Sequence, residues 1–419
     1  MTWYSWGYND YAEPGRSGWV SGTTTPLLDA QPTSFPGGVD IAHLVVGNTE
    51  GVACSTSGDV YCWAYLPAGN TSLGQCRFGN QFTYPPNALN PPTKLNYAES
   101  VGAVEVAMTQ QGTFWRRSDG TVWGVGYNQN GEFGTGEAAT TYHGTPIQLT
   151  GLPAGVTHIF AKDDGLSTWA IDGSGRLWMA GNSANGEDGS ALNHGNKLTH
   201  ALVAGMPATT VTQVAFDYRT VYALLSDGTV WTWGRNPLTG TTPLLAPAAL
   251  SGITGIQQIF VSDGPSTTFL LTTGNVLQGF GSDSGGMLCN GSWSGGSTGV
   301  GSYVQNDHKS LPPVTITIPG KTASKLFRGS SSTYAMFVLT TDGQVWGWGV
   351  RDNMWGNAPP AYATTVTTPV MPPYQVFPTS FPSGTTDGVI MAERALFVAG
   401  PAAAPAVGMV PSLLATIVG

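Results

Sequence analysis

A nine-residue phrase returns along this chain, and its return constrains the fold more than any other feature. The clearest copies are SDGTVWTWG (226–234), TDGQVWGWG (341–349) and SDGTVWGVG (118–126). Each opens on an Asp-Gly turn, where glycine accepts a positive φ without steric cost, and continues as an alternating strand that ends in glycine. Looser copies stand at 56–64, 173–181 and 272–281, and WYSWG (3–7) supplies the last half of another. Before each anchor lies an apolar run, a short polar turn and a second apolar run, as in AVEVAMTQQGTFWRR (103–117) and VTQVAFDYRTVYALL (211–225). The last such pair, 388–398, has no anchor after it, and the first anchor has no pair before it. A repeat of this length made of short strands stacks as blades around an axis. The reading is an all-β, seven-bladed β-propeller over residues 1–399, closed by pairing of its N- and C-terminal strands in one blade.

Within the repeat, D-G-x-V-x-x-W-G runs into a tail that is almost complete in Tyr127-Asn128-Gln129-Asn130-Gly131-Glu132-Phe133-Gly134-Thr135-Gly136. Trp6-Gly7-Tyr8-Asn9 and Trp233-Gly234-Arg235-Asn236 carry its beginning. This pattern resembles the regulator of chromosome condensation (RCC1-type) repeat over roughly residues 2–399. It departs in the copy ending at Gly281, and the His-Thr pair usual before the second strand is missing throughout. The resemblance implies a propeller. The family's best-known activity is guanine-nucleotide exchange on a small GTPase, with chromatin docking through a basic tail, but a repeat alone does not transfer an activity.

The chain of 419 residues has a formal net charge of -9, and only 10% of its residues are charged. Basic residues cluster no further than Arg116–Arg117, so nucleic acid is not an expected partner, because phosphate neutralisation would require a basic excess. The six histidines include no H-E-x-x-H pair, and a GxSxG string at 295–299 lies in a Gly/Ser-rich loop without the strand and helix that a nucleophile elbow needs. No GxxxxGK phosphate loop occurs. The expectation is a non-enzymatic protein with no catalytic residues, no metal and no cofactor. Cys54, Cys62, Cys76 and Cys289 lack zinc spacing, and Cys54 and Cys62 flank one hairpin turn, which leaves a bond between them open.

Two groups of residues are candidates for binding. The turns joining the first two strands of each blade should share one face, and they supply Glu50, Asp163, Asp164, Asp217, Asp263 and Glu393, a possible acidic ring at the channel mouth. Lys162, Arg219, Arg328 and Arg394 stand beside these carboxylates, and Asp is also common in tight turns for local hydrogen bonding. Aromatics outside the repeat positions, Trp19, Phe78, Tyr84, Trp293, Tyr303 and Trp355, fall in inter-blade loops rich in Asn, Gly and Ser, a composition suited to a sugar or a protein surface.

The last stretch, 400–419, is an uncharged Pro/Ala-rich apolar arm whose three prolines disfavour a membrane-spanning helix. Docking of 401–419, either back on the propeller or on other protein subunits, is the expectation that fits its apolar character. With no secretory signal at MTWYSWGYND, these features suggest a structural or attachment protein of a bacteriophage tail or other virion part, binding protein or a cell-surface glycan and located in the virion. The alternative is a cytoplasmic propeller binding module of the guanine-nucleotide-exchange-factor type.

Overall fold

The structure is a computed structural model. It describes residues 2–7, 27–32, 35–47, 50–65, 76–81, 89–137, 140–162, 166–217, 220–235, 244–262, 267–281, 287–289, 312–329, 335–349, 370–375, 385, 387–391 and 395–400. Among these, the architecture is all-β with three short 3-10 turns, and no helix is long and apolar enough to cross a membrane.

Six sheets are blades of the kind the repeat describes, each a four-stranded antiparallel meander in chain order. Blade one comprises Ile41–Val46, Glu50–Ser55, Val60–Tyr65 and Leu89–Lys94. Blade two comprises Ala103–Met108, Gly112–Arg117, Val122–Asn128 and Thr141–Gln148. Blade three is His158–Lys162, Ser167–Ile171, Leu177–Asn182 and Asn196–Leu202, and blade four is Val211–Phe216, Thr220–Leu225, Val230–Arg235 and Leu244–Ala249. Blade five is Ile256–Ser262, Thr267–Thr272, Leu277–Gly281 and the short Val314–Thr315. Blade six is Ala323–Leu326, Ala335–Thr340, Val345–Gly349 and Val370–Gln375.

The expectation of a seven-bladed propeller is corrected here to six such blades. The remaining sheet is of a different make: five strands in the order Leu27–Pro32, Thr2–Gly7, Ala395–Gly400, Asp387–Met391 and Arg328–Gly329. The two ends of the chain pair in it, with Thr2 opposite Gly400 and Gly7 opposite Ala395. Its fifth strand continues from the first strand of blade six and pairs in parallel, Arg328 with Val389. The sequence count missed this because it tallied strand-like phrases, whereas a sheet is defined by which backbones hydrogen-bond.

The first strands converge: those of blades one and two, two and three, four and five, and five and six pack on one another. Second strands are the most buried, with every residue of Glu50–Ser55, Ser167–Ile171 and Thr220–Leu225 enclosed. Most apolar clusters among the described residues span two blades, although one lies within blade one around Ile41, Leu44 and Trp63. One joins Val52, Cys54 and Cys62 of blade one to Val106, Trp115 and Val125 of blade two. Another joins Trp169 and Met179 of blade three to Val214, Val221 and Trp233 of blade four. A twisted sheet has two faces to bury, and stacking blades face to face covers both.

Fourth strands form the outer edges, where unpaired backbone invites foreign strands. Prolines blunt most of them: Pro91-Pro92, Pro146, Pro247 and Pro372-Pro373. Asn196–Leu202 has none. There the tail of blade two does the covering, because Gly136 N–H donates to Leu198 O at 2.7 Å and His200 N–H to Gly134 O at 3.2 Å.

Candidate functional site: turns, wedges and seams

The acidic ring was expected at the turns between first and second strands. Asp163, Asp164, Asp263 and Glu393 lie outside the described residues. Glu50 and Asp217 are described, and both are buried, 3% and 9% exposed. Glu50 folds back against Gly47 and Met108 of the next blade, so closely that a Cβ on Gly47 would collide with its carboxylate. Asp217 lies near the buried phenol of Tyr222, which is pushed up mainly by burial and further by that carboxylate.

Carboxylates recur instead at the opposite turns, between second and third strands. Asp119 Oδ1 accepts from Thr121 N–H (2.9 Å) and its hydroxyl (2.6 Å), and Asp227 does the same with Thr229 (2.9 and 2.7 Å). These hydrogen bonds hold both carboxyls below the usual range. Asp172 is opposed by burial, but Trp178 Nε1 (2.9 Å), Arg176 Nε (2.8 Å) and two backbone N–H groups keep its carboxyl lowered. Asp59 pairs with Lys94 at 2.7 Å and Asp342 with Lys321. Asp119, Asp172 and Asp227 therefore order their own hairpins, which is the turn chemistry that the Asp-Gly phrase implies, whereas Asp59 and Asp342 also pair with a lysine outside theirs.

Among the loop aromatics, Trp19, Tyr84, Trp293, Tyr303 and Trp355 lie outside the described residues, as does the arm 401–419. Phe78 is described and is corrected from an exposed platform to a core residue, 0% exposed among Val52, Trp115 and Val125. Its neighbours explain the error. Phe78-Gly79 is a displaced copy of the tail pair Phe133-Gly134, and Phe133 is likewise fully buried, its ring tilted against Phe114 at 4.9 Å and His143 at 4.7 Å. Gly79 and Gly134 both take positive φ, 74° and 63°, where the chain turns in against the following blade. A Cβ at Gly134 would strike the His200 ring. In each case the tail of one blade drives a phenyl wedge towards the next.

The glutamate of that tail, Glu132, is 0% exposed and accepts from Asn130 N–H at 2.7 Å and Gln129 N–H at 3.2 Å. Burial outweighs these bonds and pushes its carboxyl up to about 7. Its backbone carbonyl takes the Thr168 hydroxyl of blade three, which also meets His200 Nε2 at 3.0 Å. His200 is pushed down to about 3 by burial and stays neutral. A small cavity lined by Phe114, Leu149, Phe160 and Trp169 adjoins this pair.

Sequence reasoning missed the polar residue third in five of the first strands, His43, Glu105, Gln213, Gln258 and Lys325, and the histidine that opens the other, His158. In blades one, two, four, five and six the pairing register shifts at the preceding residue, a β-bulge that re-aims the third side chain. Four of these side chains then reach the next blade's first strand. His43 Nδ1 accepts from Val106 N–H (3.3 Å), and Glu105 Oε2 accepts from Ile159 N–H (3.1 Å). Gln213 makes both bonds to Ile259, accepting from its N–H (3.0 Å) and donating to its carbonyl (2.7 Å), and Gln258 accepts from Leu326 N–H (2.8 Å). The signal was present as a polar residue inside an apolar run, but its target was not.

Among the described residues no group of three or more His, Cys, Asp or Glu is arranged to hold a metal ion. Cys54 and Cys62 are free, buried thiols on diagonal positions of one hairpin. Burial pushes Cys54 up to about 12 and raises Cys62 as well.

No protein-family model matches the chain. It is 25% identical over 239 residues to the ultraviolet-B receptor UVR8 of Arabidopsis thaliana, covering 56% of this chain and 49% of that protein. It is 24% identical over 250 residues to the mitochondrial RCC1 domain-containing protein RUG3 of the same plant, covering 57% and 53%. The chain thus spans about half the length of these relatives. The solved structure of Prp20p, the yeast RCC1, from Saccharomyces cerevisiae superposes with a TM-score of 0.70 at 15% identity, covering 95% of this chain and 91% of that one. By repeat pattern and by fold, the chain is similar to the RCC1-type β-propellers.

Proposed function

We propose that this chain is a non-enzymatic protein-binding propeller of the guanine-nucleotide-exchange-factor type, acting in the cytoplasm through its inter-blade loops. The observation that carries the reading is the likeness to Prp20p along 95% of the chain. Prp20p is described with binding properties to Gsp1p and histones, and in a complex with Kap60. The seams support a scaffold role, because side chains such as Gln213 fasten blade to blade and leave the loops free to vary. These comparisons favour the exchange-factor-type alternative over the phage-tail and glycan readings, to which they lend nothing.

The test is release of a fluorescent GDP analogue from a Gsp1-type small GTPase, with complex formation followed by size-exclusion chromatography. Accelerated release supports exchange, and a stable complex without acceleration supports protein binding alone. Neither release nor complex, at concentrations up to tens of micromolar, overturns the proposal.

A further inference from the structure

The seams are latched in three chemically different ways, one of them the Glu105 carboxylate that accepts from Ile159 N–H at 3.1 Å. Ile259 and Leu326 donate their N–H groups to the amide oxygens of Gln213 and Gln258, whereas Val106 donates to the imidazole Nδ1 of His43. An amide oxygen accepts throughout the physiological pH range. An imidazole nitrogen accepts only while it carries no proton, and histidine is the side chain whose charge changes in that range.

The surroundings of His43 offer a second arrangement. On its own hairpin it faces Cys54, directly opposite in the pairing. From blade two Glu105, on the same strand as Val106, interacts with it electrostatically; that carboxylate is held by Arg116 Nε at 3.0 Å and lies 3.4 Å from His158 Nδ1 of blade three. On its other side its strand packs against Asp387–Met391, whose one charged residue is Asp387. Burial works against the charge on Glu105, but His158, the charge of His43 and Arg116 together keep its carboxyl below the usual range, so an anion is present for a cationic ring.

We propose that His43 makes the seam between blades one and two a proton-responsive latch. On binding a proton, Nδ1 stops accepting from Val106 N–H, and the charged ring is held by the Glu105 carboxylate instead. The seams latched by Gln213 and Gln258 do not respond. Acidification then loosens the ring at one defined seam.

Amide hydrogen exchange on the full chain, corrected for intrinsic rates, tests this between about pH 7.5 and about pH 5. Protection of Val106 should fall about five-fold relative to Ile259, the worth of one net hydrogen bond. His43→Gln should remove that fall, and Gln258→His should confer one on Leu326. Parallel behaviour of Val106 and Ile259 in the unmodified chain overturns the proposal whatever the variants do. So does a pH response at Val106 that survives His43→Gln.

Discussion

Gln213→Met removes the doubly bonded latch between blades four and five while keeping the length and flexibility of the side chain. Both polar atoms of the Gln213 amide engage Ile259, at 2.7 and 3.0 Å, and Ile259 is 1% exposed. The variant thus loses two hydrogen bonds and leaves a backbone N–H and a carbonyl without their partners. A net hydrogen bond contributes about 0.5–1.5 kcal/mol, and a buried group left unsatisfied costs about 1–3 kcal/mol. Relief by water at the channel side brings the expected loss to about 2–4 kcal/mol. At this chain length 1 kcal/mol corresponds to about 1 °C in Tm, so urea unfolding is the sharper assay. Protection of the Ile259 amide should fall together with the urea midpoint. A loss under about 0.5 kcal/mol, with Ile259 still protected, would refute the idea that these side chains fasten the ring.

Phe78→Ala and Phe133→Ala should each lower stability by about 3–5 kcal/mol in urea unfolding, because both phenyl rings are fully buried wedges; an effect confined to partner binding would restore Phe78 as a surface contact. Gly134→Ala should cost about 2–4 kcal/mol, since the new Cβ meets the His200 ring at a φ of 63°, whereas Gly155→Ala, with φ 76° and open space around it, should lose only about 1–2 kcal/mol. His200 is held neutral, with its folded pKa near 3 and below its unfolded value. Its contribution is therefore complete above about pH 6.5 and declines as pH falls towards 3, at most about 1.4 kcal/mol per pH unit. Unfolding measured across that range should be flatter in His200→Asn; an unchanged slope would assign the acid sensitivity elsewhere.

The blade framework was legible because it is written locally. Asp-Gly turns at Asp119, Asp227 and Asp342 set the hairpins. Binding residues were less legible, for reasons visible at single positions. Phe78 read as a loop aromatic because its tail sits fourteen residues past the anchor at Ala64, whereas Phe133 sits seven past Gly126. At Glu50 nothing local tells that Gly47 makes room for the carboxylate to fold back beside Met108.

Sequence alone determined that this is an all-β protein of repeated antiparallel blades with the RCC1-type phrase, because turn preference and strand alternation act between residues close along the chain. Only the tertiary structure decided how many sheets follow that plan, and that the ends at Thr2 and Gly400 meet in a five-stranded sheet of another kind. It also decided that His43, Glu105, Gln213 and Gln258 fasten neighbouring blades. Those bonds join residues 46 to 68 positions apart, and no local pattern specifies a partner at that distance.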